Sequence, residues 1–341
     1  MRIDSLVKPC YNNRQKDSKT EDAMTMTKTT QTVLERYQIR KTKKQKTAFI
    51  NYVQSVAAEQ GLPCRVEKGM FGVRNIVVGD PDQAKVMFTA HYDTCAVLPF
   101  PNFITPKHFS IYLLYQVVVV LALFAVMFIS VGVLSTVAEL LLCGVGAEMD
   151  SGVMYLAVYD VCMIAMLWLL LAGPANKHTV NDNTSGVTVL LDMMTELPEE
   201  ERAKAAFVFF DLEEAGLFGS SAFASAHKKQ MKNKLLLNFD CVSDGEYMIF
   251  AVKKKARVWA QWLTECFASD DTVQCEVLTK GVFYPSDQAN FPVGVGVAAL
   301  KKSRWLGVLY MDRIHTKKDT VYREENIAFL KKGAERLLRR L

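Results

Sequence analysis

The chain has 341 residues, half of them apolar, and a formal net charge of +5. That length accommodates one large α/β domain with an added element, or two domains. Lys and Arg are interspersed with Asp and Glu, which leaves no face for nucleic acid, and the eight cysteines show neither CxxC pairing nor short disulfide-like spacing, as expected of reduced thiols.

Residues 1–29 are polar and lack the apolar core of a signal peptide, so they read as a disordered leader. Residues 30–61 carry helical apolar spacing that ends at Gly61, a C-cap candidate. Within them the basic run RKTKKQK (40–46) reads as a solvated helix face, with proximity to anionic lipid as the alternative. Short β-like runs follow at RNIVVG (74–79) and KVMFTA (85–90).

A composition shift then dominates, because residues 108–176 contain no Lys or Arg. The run 109–133 is long enough to cross a bilayer, which takes roughly 20 apolar residues, and 153–173 is a second candidate with one charge, Asp160. Residues 134–151, with Glu139, Glu148 and Asp150, read as the linker of a transmembrane hairpin. Two crossings return the chain to its starting side. Lys107 and Lys177 flank the hairpin and its loop has no basic residue, so the positive-inside rule places 1–107 and 177–341 in the cytoplasm. Contact with the lipid bilayer follows, and pairing of two copies through the hairpin stays open.

With the hairpin removed, 30–107 and 177–341 have the rhythm of one α/β domain. Further strands are expected at AAFVFF (205–210), KLLLNF (234–239), YMIFAV (247–252) and VGVAAL (295–300), with helices at 185–197, 223–234 and 257–269. The expected fold is a mostly parallel mixed sheet with helices on both faces. In such sheets the site lies beyond the carboxyl ends of the strands, and polar residues collect there: HYDT (91–94), NDNTSG (181–186), DLEE (211–214), Asp240 and His315.

Two imidazoles and three carboxylates, His91, Asp182, Glu214, Asp240 and His315, suit zinc. Five ligands exceed one catalytic zinc and fit two that share a bridging carboxylate. Asp93 is placed to orient His91. Glu213, beside a ligand, is placed to act as general base. Asp211 reads as a strand end or a support for a neighbour. His178, His227 and His108 are set aside as loop, exposed helix and interfacial residues. Phe283, Tyr284 and Phe291 read as pocket lining or core.

In order and local context, HYD, NDNTSG, EEAGLFGS, NFD and a late IH resemble the co-catalytic di-zinc aminopeptidase family, which includes bacterial leucyl-type aminopeptidases, glutamate carboxypeptidases and the transferrin receptor. The resemblance spans 30–107 and 177–341. It implies two Zn(II) per chain, one held by His91 and Asp240, the other by Glu214 and His315, with Asp182 bridging. It also implies Glu213 as the base, Asp93 behind His91, a cis Asp182–Asn183 peptide and Tyr284 as a candidate oxyanion donor. Two departures stand out: Gln288 replaces the His of a Ser-Asp-His loop, and the hairpin interrupts the domain. The expected function is a membrane-anchored, cytosol-facing metallopeptidase, an aminopeptidase acting on hydrophobic or membrane-proximal peptides. The alternatives are an N-acyl amino acid amidohydrolase, a single-zinc glutaminyl-cyclase-like acyl transferase and an inactive receptor or scaffold.

Overall fold

The computed structural model describes residues 26–147, 149–305 and 307–341, so most of the leader and Glu148 lie outside the described residues. The N-terminal helical region is two helices, α1 (Lys28–Arg36) and α2 (Lys43–Glu59). Thr42 caps α2 in a capping box with Gln45, and Gly61 follows with φ 66°. The basic run 40–46 is a solvated face only in part: Lys43 and Lys44 are exposed, but Arg40 and Lys46 are not. Arg40 is fully buried and donates to the carbonyls of Tyr37 and Tyr92, while Lys46 pairs with the buried Asp211 at 2.6 Å. Charged side chains are buried in this way only where such partners await them.

The strands are β1 (Cys64–Lys68), β2 (Arg74–Val78), β3 (Val86–His91), β4 (Ala205–Phe210), β5 (Leu235–Phe239), β6 (Tyr247–Val252), β7 (Gln274–Leu278), β8 (Gly294–Lys302) and β9 (Leu309–Tyr310). They form one sheet in the order β1-β2-β4-β3-β5-β8-β6-β7, with β9 beside β8. The central strands β4, β3, β5 and β8 run parallel, while β1, β2 and β6 join by antiparallel pairing. Strands β3, β4 and β5 are buried along their whole length, as their unbroken apolar runs require.

The hairpin is α3 (Phe109–Gly144) and α4 (Ser151–Ala172). Helix α3 runs on well past residue 133, because LSTVAELLLC offers no Gly or Pro to stop it before Gly144. At 36 residues it is about 54 Å long, well beyond the roughly 30 Å hydrocarbon layer. Its first turns pack on the α/β domain: Phe109 and Tyr112 against Phe283, and Tyr115 against Phe103. Only 11% and 6% of the most apolar stretches of α3 and α4 are buried. Both are long and apolar enough to cross a membrane. Asp160 is exposed on α4.

After the hairpin come α5 (Gly186–Glu196) and α6 (Glu199–Arg202), then α7 (Phe218–Ala226), α8 (Ala260–Cys266) and α9 (Glu324–Arg340). Helix α7 begins earlier than its sequence run and ends at Ala226, ahead of the lysines. His227 is half-buried there, 2.9 Å from Glu67 and stacked on Phe223, rather than exposed. The seven described cysteines are free thiols.

Candidate metal centre

Three adjacent parallel strands deliver the site. His91 ends β3, Glu213 and Glu214 follow β4 by three and four residues, and Asp240 immediately follows β5. Asp182 comes from the turn before α5, and His315 from the loop after β9, where it adopts φ 61°. Asp182 Oδ1 lies 3.2 Å from His91 Nε2, and Asp182 Oδ2 lies 3.0 Å from His315 Nε2. Each ring nitrogen also faces a second carboxylate: His91 faces Asp240 at 3.4 Å and His315 faces Glu214 at 3.2 Å. Donors around a tetrahedral zinc with bonds of about 2.0–2.1 Å lie about 3.3 Å apart. Glu214 Oε1 is buried without a hydrogen-bond partner. The donor set, its spacing and this orphaned oxygen all fit a pair of divalent cations.

The surrounding hydrogen bonds hold the donors in place. Asp319 accepts from the backbone N–H groups of Asn181 and Asp182, at 2.7 and 3.0 Å. Asn181 Oδ1 accepts from Ser243 and Asp244, tying the Asp182 turn to the loop after β5. The Asp182–Asn183 peptide is cis. Gly186 is obligatory, since a Cβ there would meet the Phe239 carbonyl oxygen at 2.2 Å. With its hydrogen on Nδ1, His91 donates to the Asp93 carbonyl at 3.2 Å and turns a bare Nε2 to the site. The Asp93 carboxylate is 3.7 Å from His91 and accepts instead from the N–H groups of Glu213 and Glu214, at 3.0 and 3.3 Å. Asp93 therefore supports the acidic turn as well as the histidine.

Charge crowding shifts the titrations. Burial, reinforced by Asp182, pushes the Glu214 carboxyl up to about 8. Burial also pushes Glu213 well above the usual range, with Glu214 and Asp240 adding to it. Burial opposes the charged form of His315, but Glu214 and Asp182 outweigh it and raise the ring to about 9. Asp182 is also desolvated, yet its contacts with His315 and His91 hold it below the ordinary value. Left to themselves these groups would share protons, and a bound cation would supply that positive charge instead.

A cavity of about 270 Å3 opens on these residues and includes Glu213, Tyr284 and Ile314. Tyr284 Oη donates to the Asp240 carbonyl at 2.9 Å. Phe291 lies in the core and Phe283 packs on α3, so neither lines this cavity. Three polar neighbours gave no signal in the sequence. Asp319 follows a lysine pair, Arg40 hides in a basic run, and Asp287 sits beside Gln288, buried and pushed up to about 7 by burial first of all. His178 stays exposed outside the cluster.

A mixed sheet presenting paired histidines and carboxylates beyond its parallel strands defines a metallohydrolase-type centre. The model of peptidase family M28 matches residues 144–335, more than half of the chain, and the protein belongs to that family of zinc-dependent peptidases. The chain is similar in fold to a glutaminyl cyclase of Porphyromonas gingivalis (12% identity, 92% of this chain and 97% of that one, TM-score 0.53). It is also similar to a leucine aminopeptidase precursor of Bacteroides thetaiotaomicron (13% identity, 91% and 93%, TM-score 0.51) and a glutaminyl cyclase of Macrostomum lignano (12%, 91% and 87%, TM-score 0.52). No curated sequence matches the chain significantly.

Proposed function

We propose that the chain is a membrane-anchored, cytosol-facing hydrolase that takes two zinc ions and removes N-terminal residues from hydrophobic peptides. The observation that carries this reading is Asp182, whose two oxygens each face a histidine that also faces a second carboxylate. His91 and Asp240 would hold one metal, Glu214 and His315 the other, with Asp182 shared. Zinc bound there supplies Lewis acidity and lowers the pKa of water in the site. Glu213, half-buried and lining the cavity, takes a proton from the attacking water and passes it to the leaving nitrogen. Tyr284 positions the Asp240 segment; serving as oxyanion donor would require it to exchange that bond.

Several observations support the bilayer anchor and an apolar substrate. The hairpin exposes long apolar faces that water would not tolerate, and its flanks carry Lys107 and Lys177 while 108–176 carry no Lys or Arg. An apolar chamber of about 450 Å3 lies between Val97–Phe100, the middle of α3 and the C-terminal half of α4, where Leu123, Met127 and Ala165 contribute. Its wall is joined to the site, because Leu98 N–H donates to the His315 carbonyl at 2.8 Å. The same chamber favours a second reading, hydrolysis of N-acyl amino acids with a long acyl chain.

The test uses full-length protein in detergent with zinc, apolar and polar peptides of equal length, and N-acyl amino acids. Release of N-terminal residues from apolar peptides, abolished by a chelator, is expected. Filling the chamber with Ala165→Trp should raise KM for apolar substrates about 10-fold, the equivalent of one or two buried methylenes, and leave polar ones unchanged. Equal turnover of polar and apolar substrates by both proteins would contradict the substrate assignment.

A further inference from the structure

Cys95 follows the HYDT turn and is 3% exposed. Its Sγ, a carboxylate oxygen of Asp182, one of Glu214 and a ring nitrogen of His315 all lie within 4.8 Å of one another. These four donors come from four separate segments. Among the described residues the thiol accepts one side-chain hydrogen bond, from Asn176 Nδ2 at 3.9 Å, which is long even for sulfur. A thiol that only filled space would gain nothing from facing two carboxylates and an imidazole. Glu214 Oε1, in the same group, is itself buried without a partner.

We propose that Cys95, as a thiolate, is a fourth protein ligand of the metal held by Asp182, Glu214 and His315. This rests on the metal-centre reading above. The thiol proton leaves to solvent as the sulfur–metal bond forms. Thiolate is a soft donor suited to zinc, with a bond of about 2.3 Å, and drawing the four donors together needs only small side-chain movements.

The consequence is a division of labour. With Cys95 the metal on the His315 side would have four protein donors, and closed tetrahedral sites are structural in character. The metal on the His91 side would have only His91, Asp240 and the shared Asp182, leaving a position for substrate or water. The ligand is also tied to the hairpin. Asn176 N–H donates to the Cys95 carbonyl at 3.2 Å, Val97 N–H to that of Pro174 at 2.9 Å, and Asn176 Nδ2 to that of Thr316 at 3.0 Å. The chain leaving α4 is thus hydrogen-bonded to the segments that carry Cys95 and His315.

Cobalt(II) tests the assignment spectroscopically, because a thiolate ligand adds a strong near-ultraviolet charge-transfer band that oxygen and nitrogen donors lack. The full-length protein in detergent is loaded with cobalt, alongside Cys95→Ala, Cys95→Ser and Cys241→Ala. Cys241 is the necessary control, since its Sγ lies 3.1 Å from Asp240 Oδ1. The expected result is the band in the parent and in Cys241→Ala, and its loss in both Cys95 variants. Those variants should still bind cobalt at the second site with visible bands, which reports folding, and bind one of the two ions at least about 10-fold more weakly. A band that survives in both Cys95 variants, or is lost only in Cys241→Ala, overturns the proposal. Two cobalt ions bound to the parent with no such band overturns it while leaving the two-metal centre intact. No cobalt bound at all overturns both.

Discussion

Asp93→Asn tests whether the acidic turn is held from the neighbouring strand. The Asp93 carboxylate receives the N–H groups of Glu213 and Glu214, one on each oxygen. It thereby clamps a turn in which Leu212 has φ 53°, a conformation that costs an L-residue about 1–2 kcal/mol. A hydrogen bond to a charged group contributes about 1.5–3 kcal/mol. Asparagine keeps one acceptor and presents an NH2 group to the other N–H, so one bond is lost and replaced by repulsion. The loss matches or exceeds the strain, so the turn relaxes and Glu214 moves away from His315. Disturbing such a support weakens metal binding about 10- to 100-fold, or about 1.4–2.7 kcal/mol. Competition against a chromophoric chelator measures this directly. A zinc affinity within about 2-fold of the parent would refute the reasoning.

Two further outcomes follow. Glu213→Gln should lower kcat by about 10^2- to 10^4-fold while zinc content stays at the parent level; full turnover would remove Glu213 as the proton carrier. The metal-free protein should lose stability as pH rises. Glu214 titrates near 8 when folded against an ordinary 4.5, and His315 near 9 against 6.5, so the folded chain holds protons that the unfolded chain has released. Stability then falls from about pH 4.5 to about pH 9, whereas the zinc-loaded protein, whose ligands are already deprotonated, should not show this fall. A melting temperature of the chelator-treated protein that rises through this window would contradict the assignment.

Much of the frame was legible in sequence because its signals are local. AAFVFF and YMIFAV are strands over the residues the apolar runs mark, and the polar residues that end β3, β4 and β5 are adjacent to those runs. Strand β1, CRVEK, and strand β7, QCEVL, were not legible, since edge strands with exposed charges carry little apolar pattern. The length of α3 was hidden because a polar Ser-Thr and a Glu interrupt the hydropathy but not the helix. In the candidate site, the clustered histidines and carboxylates were visible by residue type, but the residues that hold them in place were not. Asp319, Asp287 and Arg40 act across more than 100 residues of chain, or from within misleading local composition, and no spacing rule reaches them.

The most direct test of the two-metal centre is the zinc content of the detergent-purified, full-length protein, measured by elemental analysis with and without Asp182→Ala. The arrangement of Asp182 between His91 and His315 predicts about two zinc per chain, falling sharply when the shared carboxylate is removed. A parent protein that takes up one zinc or none from excess, or a variant that retains both, would contradict it.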